Sequence, residues 1–233
     1  MKHYCIIILL AVIPVFSSAQ LQLGVKGGCN YYWFTNTDEG HLVTTYDYLD
    51  SQLPPMISLT LRDRSPGNFN IGVELDYIFR SFWVNSFQGG LAGSSDVDIR
   101  YQIGNLYLQI QPQFVFGSKM KFFFYPGLYL GTLLHSSVLG STASYQQGVP
   151  PVTRYHEING KAGQYYPKLE VGVCAGTGIE VSLGRNFGFL AEYNFRMNLS
   201  KIGSPLGADN VKMINMTIEA GVTYTLNLKK KKA

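Results

Sequence analysis

FNIGVELDYIFR, residues 69–80, sets Phe69, Ile71, Val73, Leu75, Tyr77 and Phe79 on alternate positions. Asn70, Gly72, Glu74, Asp76 and Arg80 fill most of the positions between them. Successive side chains of a β-strand point to opposite sides, so this alternation reads as a strand with two chemically different faces. A soluble sheet would turn the apolar face to its core and the charged face to water. The same pattern recurs along the chain, and the fold depends on which face is inside.

Eight segments alternate in this way. The first is Leu21–Phe34, with Leu23, Val25, Cys29 and Tyr31 opposite Gln22, Lys26 and Asn30. Met56–Arg62 sets Ile57, Leu59 and Leu61 against Ser58, Thr60 and Arg62, and the opening stretch continues to about Trp83. From about Ile99 to Phe116, Leu106, Leu108 and Ile110 oppose Tyr107, Gln109, Gln111 and Gln113. Lys121–His135 opposes Phe122, Phe124, Leu128 and Leu130 to Tyr125, Gly127, Tyr129 and Gly131. The last three are Lys168–Leu183, Phe187–Leu199 and Val211–Leu226. No long stretch carries the 3.6-residue period of a helix.

The connections alternate in length. SPGN (65–68), GSK (117–119) and GRN (184–186) have the composition of tight turns. Residues 35–55, 88–98, 136–167 and 200–210 read as long polar loops. Short turns at one end and long loops at the other are the layout of an outer-membrane β-barrel, with both termini on the periplasmic side. Aromatics gather at strand ends. Tyr31, Tyr32, Trp33, Phe34, Phe82, Trp83, Phe87, Tyr165 and Tyr166 lie toward the loops, and Phe114, Phe116, Phe122, Phe124, Phe187 and Tyr224 toward the turns. Two such belts suit two membrane interfaces.

The expected fold is therefore all-β, an eight-stranded antiparallel up-and-down transmembrane β-barrel with its apolar face in lipid. A closed barrel satisfies every backbone donor and acceptor without an edge, as hydrocarbon demands. The rival is a soluble barrel of lipocalin type with the apolar face inward. It would need neither interface belts nor such uniformly charged outer faces.

Composition agrees. Apolar residues make up 46% and charged residues 15%, with 16 Tyr and 14 Phe. That is less charge than the ~25% of an average soluble domain. Lys2 and His3 precede the apolar run CIIILLAVIPVF (5–16), and Ser17-Ser18-Ala19 offers small residues for cleavage. Residues 1–19 read as a signal peptide, 20–228 as the barrel and 229–233 as a basic periplasmic tail. With Lys2 and Lys229–Lys232 set aside, 14 basic residues face 15 acidic ones, so no nucleic-acid surface is expected. Cys29 and Cys174 fall on opposite faces, which argues against a disulfide, and two lone cysteines make no metal site. No cofactor pattern is found.

An inward polar face carries Lys26, Arg62, Arg80, Lys168 and Arg196 against Glu74, Asp76, Glu170, Glu180, Glu192 and Glu219. An eight-stranded barrel is just wide enough for side chains to fill. The charges should pair into a core that blocks flow, since an isolated buried charge is costly. The alternative is a narrow ion or proton path. Enzymatic use has one weak candidate. His135-Ser136-Ser137 has the His-x-Ser spacing of lipid A deacylases, in which a histidine base would activate a serine. Strand parity aims His135 into the lumen, away from lipid. His41 and His156 stand alone in loops. The loop stretches TYDYLDSQLPP (45–55) and SYQQGVPPVTRYHE (144–157) carry residue types favoured at interaction surfaces.

LGVKGGCNY (23–31), NLYLQIQP (105–112), FFFYPGLYLGTLL (122–134) and EAGVTYTL (219–226) resemble strands of the small outer-membrane β-barrel family common in Bacteroidota, the PorT-like proteins. Pro126 and Gly127 stand in swapped order relative to that family's fifth strand. Glu219, Gly221, Tyr224 and Leu226 are similar to the signal read by the barrel-assembly machinery, although here NLKKKKA follows it. The resemblance implies a barrel in outer-membrane lipid, assembled by that machinery, and a link to type IX secretion. The long loops and the lack of a catalytic constellation point to a noncatalytic scaffold or interaction module with an envelope or surface protein as partner; the alternatives are a small-solute channel and a lipid A-modifying enzyme using His135 and Ser137.

Overall fold

The structure, a computed structural model, describes residues 20–36, 53–64, 67–90, 93–146, 152–160, 168–200 and 211–227. The expected signal peptide, Lys229–Lys232, His41 and Tyr165–Tyr166 lie outside the described residues. The strands are β1 (Gln20–Asn36), β2 (Pro55–Asp63), β3 (Phe69–Gly90), β4 (Gly93–Gly117) and β5 (Met120–Gln146). They continue with β6 (Val152–Gly160), β7 (Leu169–Ser182), β8 (Phe187–Asn198) and β9 (Val211–Asn227).

Every neighbouring pair is antiparallel. The order β4-β3-β2-β1-β9-β8-β7-β5, together with the β4–β5 pairing, closes an eight-stranded ring. The barrel is closed between β1 and β9, from Gln20↔Asn227 to Asn36↔Val211. At the turn end, backbone bonds tie the rim, among them Arg64 N–H to Gln20 O, Val115 N–H to Asn68 O and Thr225 N–H to Asn186 O. The turn after β4 needs its glycine. Gly117 sits at φ +97°, where a Cβ would lie 2.2 Å from the Met120 carbonyl oxygen.

The apolar face is outside. Leu23, Val25, Ile57, Leu59, Ile110, Leu128, Val171 and Val222 are exposed, while Gln22, Lys26, Glu74, Gln111 and Arg196 are buried. Seen in water this is inside out. In lipid, each exposed aliphatic side chain stays in an apolar medium, and the hydrogen-bonded ladder leaves no bare backbone. Cys29 and Cys174 are free and face opposite sides.

The strands are longer than expected at the loop end. Residues 88–98 were expected as a loop, yet β3 runs to Gly90 and β4 begins at Gly93. Within the expected loop 136–167, β5 continues to Gln146 and the added strand β6 pairs with it from Val138↔Gly160 to Gln146↔Val152. A membrane crossing takes ~9–11 residues, so the 27 residues of β5 carry it far beyond the bilayer. Glycine, serine and threonine fill these extensions. They offer little hydrophobic contrast from which to read a period, although backbone pairing needs none.

Candidate functional site: the lumen and the outer sheet

The lumen is a column of paired charges. Lys26, on β1, is its centre. Its Nζ lies 2.7 Å from Glu74, 2.9 Å from Glu192 and 2.9 Å from Glu219. Arg62 donates to the same Glu192 oxygen at 2.8 Å and to Thr60 at 3.2 Å, with its guanidinium 4.6 Å from the Phe123 ring centroid. Tyr125 donates to the other oxygen of Glu192. Ser58 and Thr217 donate to Glu219 at 3.0 and 2.8 Å.

Toward the loop end, Arg196 meets Asp76 at 2.5 Å, and the Gln109 amide donates to the same carboxylate. Glu170 accepts from Tyr107 at 2.8 Å and Asn105 at 2.9 Å, and Arg80 lies 5.2 Å from the Tyr107 ring centroid. Toward the turn end, Arg64 pairs with Glu180, which also accepts from Gln22 at 3.1 Å. Buried charges stay charged only where partners replace water, and this column supplies partners on every level. Glu74, Asp76 and Glu219 bring carboxylate oxygens within 4.8 Å of one another. Lys26 already contacts Glu74 and Glu219, and Arg196 contacts Asp76.

Ten of the eleven expected lumen charges are buried in the barrel. Lys168 is the exception. It precedes β7 and is exposed at the loop-end rim, because β7 begins one residue later. Arg64 was missed, since it follows the last alternating residue of β2.

Aromatic side chains complete the filling. Tyr107, Tyr129, Tyr125 and Phe123 point inward, directly across from Gly131, Gly172, Gly176 and Gly178 on the neighbouring strand. A Cβ on any of these glycines would lie 2.3–2.4 Å from the facing ring. The inward glycines thus serve as seats for rings. Met56, Ile78, Tyr107, Tyr129 and Cys174 form an apolar cluster in the same lumen. A small pocket lies at the turn-end mouth, among Gln22, Arg64, Asn70, Lys121 and Glu180.

On β4 the polarity pattern reverses. Between Asn105 and Gln113 the inward residues are Asn105, Tyr107, Gln109, Gln111 and Gln113, and Leu106, Leu108 and Ile110 face out. Beyond Gly104 the inward residues are Ile103, Tyr101 and Ile99, all buried, while Gln102, Arg100, Asp98 and Asp96 face out. Below Gly104 the wall suits lipid. Above it the wall suits water on its outside and an apolar filling within. On β5 the same level holds a β-bulge, since Leu133 pairs with Asn105 and His135 with Gly104. Leu134 is the extra residue and turns the following side chains over.

The bulge corrects the placement of His135. Parity aimed it at the lumen, but beyond Leu134 it shares the outer face with Gly104 and is exposed. Ser137 faces outward with it and donates to Gln102 at 3.2 Å. His156 is exposed on β6, not in a loop. Of the interaction stretches, 144–146 and 152–157 belong to β5 and β6, and 45–52 lies outside the described residues.

The turn-end belt forms as expected. Phe114, Phe116, Phe122, Phe124, Phe187 and Tyr224 are all exposed on the outer wall, with Phe114 stacked on Phe124 at 5.0 Å. At the other end Tyr31 is exposed, but Tyr32 donates to the Ser81 carbonyl at 2.6 Å and leaves the belt. Of the assembly-signal residues, Glu219 is in the lumen on Lys26, while Tyr224 faces out against Phe187.

A profile of the outer membrane protein beta-barrel domain family matches residues 16–203. The chain belongs to that family. As a member of the outer membrane protein beta-barrel domain family it resides in the outer membrane, with its short turns toward the periplasm. Among solved structures it is similar to Ail, the attachment invasion locus protein of Yersinia pestis, at 12% identity over 88% of this chain and 99% of that one, with a TM-score of 0.41. Neisserial surface protein A is similar at 12% identity, covering 89% and 97%, with a TM-score of 0.44. The outer membrane protease OmpT of Escherichia coli is similar at 8% identity, covering 91% and 98%, with a TM-score of 0.34. Similarity at this level transfers no ligand and no activity. No curated protein matches the chain.

Proposed function

We propose that this barrel is a noncatalytic scaffold whose working surface is the sheet standing above the membrane. The observation that carries this reading is the reversal of polarity at Gly104 on β4. A barrel that needed only an anchor would end near its lipid boundary. Here β3, β4, β5 and β6 continue as a paired sheet, and on β4 its outer side is polar and its inner side apolar. Function concentrates where a rigid scaffold carries segments into solvent. The partner is an envelope or surface protein.

The PorT-like phrases in β1, β4, β5 and β9 support a place in that Bacteroidota group, and with it a role in type IX secretion and delivery by the barrel-assembly machinery. Photo-crosslinkers at exposed Asp96, Asp98 and Glu157 should capture a discrete envelope protein in the native cell. Absence of any adduct, with the barrel correctly folded, would sink the scaffold reading. Deletion should impair type IX cargo release. Normal release would remove the secretion role and leave the scaffold.

One observation favours a second reading, a lipid-modifying enzyme. The bulge brings His135 and Ser137 to the same outward face at the membrane edge. A histidine base beside a serine nucleophile is sound acyl-transfer chemistry, yet it needs a carboxylate to orient the histidine. Among the described residues none is bonded to His135. A change in lipid A mass on expression, lost in His135→Ala, would establish this reading; unchanged lipid A discards it.

A further inference from the structure

The pocket at the periplasmic mouth keeps one positive charge over. Arg62 and Arg64, from the end of β2, and Lys121, from β5, line it against a single carboxylate, Glu180 of β7. Arg62 is held on Glu192, deeper in the lumen, and Arg64 on Glu180. Lys121 stands directly across from Glu180 in the β5–β7 register, but that carboxylate is taken by Arg64 and Gln22. Lys121 is half-buried and has no ion pair among the described residues. Lys119 and Arg185 are exposed in turns at the same end, where Asp63 is half-buried and no carboxylate among the described residues is exposed. The mouth therefore draws anions toward the pocket.

The same pocket also holds acceptors with nothing to accept. Gln22 on β1 and Asn70 on β3 line it, both buried, and the side-chain oxygen of each has no hydrogen-bond partner. The orientation of Gln22 is fixed, because its amide nitrogen donates to Glu180 at 3.1 Å and to Thr223 at 3.0 Å. A buried acceptor left unmet costs free energy, so the pocket favours an occupant that supplies hydrogens. The occupant must offer negative oxygen to Lys121 and at least one O–H to Gln22 or Asn70. Carboxylate and sulfate bring charge without a hydrogen. Inorganic phosphate brings both, since at least one of its oxygens stays protonated through the neutral range. A phosphate monoester loses its last hydrogen above about pH 6.

We propose that this pocket is a binding site for inorganic phosphate at the periplasmic mouth of the barrel. Lys121 donates to a charged phosphate oxygen, and the phosphate hydroxyl donates to the free oxygen of Gln22 or Asn70. The Lys26 cluster fills the lumen beyond it, so the anion is held at the mouth and does not pass. The site lies at the opposite end of the barrel from the outer sheet and works independently of whatever that sheet recruits.

The test is equilibrium dialysis of radiolabelled phosphate and radiolabelled sulfate against the refolded mature chain in uncharged detergent. At about pH 8, phosphate should bind at least about tenfold more tightly than sulfate, which leaves the Gln22 and Asn70 oxygens facing other lone pairs. Lysines outside the pocket draw both anions alike, so the ratio of the two affinities reports the pocket. Glycerol phosphate should compete poorly at that pH and better at about pH 5, where it regains its hydrogen. Asn70→Leu should weaken phosphate and leave sulfate unchanged. Lys121→Gln should weaken phosphate by about tenfold, whereas K168Q, at the outer end, should change nothing. Heat-modifiable gel migration confirms that each variant is folded. Equal affinity for the two anions in the unaltered chain, or no phosphate bound, overturns the proposal. A preference for phosphate that survives both Asn70→Leu and Lys121→Gln overturns it as well. Glycerol phosphate competing as strongly as inorganic phosphate at about pH 8 also overturns it, and assigns the pocket to phosphate monoesters.

Discussion

At the scale of the residue, Lys26 holds most of the lumen together. One ammonium serves three glutamates, all fully buried. Removing it leaves three carboxylates facing one another, with Arg62 the one cation still paired to Glu192. Breaking a buried pair by deleting one partner costs ~3–5 kcal/mol. Lys26→Met should lower unfolding stability in vesicles by about that much, read from urea titration. Adding E219Q should recover part of the loss, since one stranded charge is then gone. The glycine seats test packing instead. A Cβ at Gly176 would lie 2.4 Å from the Tyr125 ring. Gly176→Ala should cost ~1–3 kcal/mol through overpacking, and less in a Tyr125→Leu background. The same alternation that exposed Glu74 and Asp76 in the sequence also marked Tyr107, Tyr125 and Tyr129 as inward. It could not show that each ring lies on a glycine, because that depends on register between strands distant in sequence.

At the scale of the element, β5 determines where membrane ends and extracellular sheet begins. Leu134 is unpaired in the β4–β5 register. Deleting it would set inward-facing Leu133 directly before outward-facing His135, so plain alternation would keep every later residue of β5 on its present face, with Val138 inside and Leu139 outside. The membrane ring below pairs independently of that stretch, from Met120↔Val181 to Thr132↔Leu169. The Leu134 deletion should therefore keep heat-modifiable migration and leave the sheet above as resistant to proteinase K in intact cells as in the unaltered chain. Rapid cleavage above the membrane would show that the extra residue itself is needed to seat the upper sheet.

At the scale of the whole molecule, the lumen is filled from end to end. Glu180 and Arg64 close the periplasmic end, the Lys26 cluster fills the middle, and Tyr107, Ile78 and Met56 lie above it. Eight strands leave room for side chains and little else. Planar bilayers holding the refolded mature chain should show no discrete conductance steps. Regular steps would mean that the ion pairs part under voltage, and the solute-channel reading would replace the scaffold.

Alternation with a period of two, a scarcity of charge and the spacing of turns were sufficient to determine an eight-stranded barrel with its polar face inward. Those are local properties, and hydrocarbon admits one closed solution for them. Ten of the eleven inward charges followed from parity alone, because parity needs only the sequence of one strand. Which charge meets which was decided by tertiary structure. Lys26 lies 48 residues from Glu74 and 166 from Glu192. The reach of β3 to β6 beyond the membrane, the bulge that turns His135 outward and the ring-on-glycine seats were likewise decided there. Each depends on how two strands align, and no single strand carries that information.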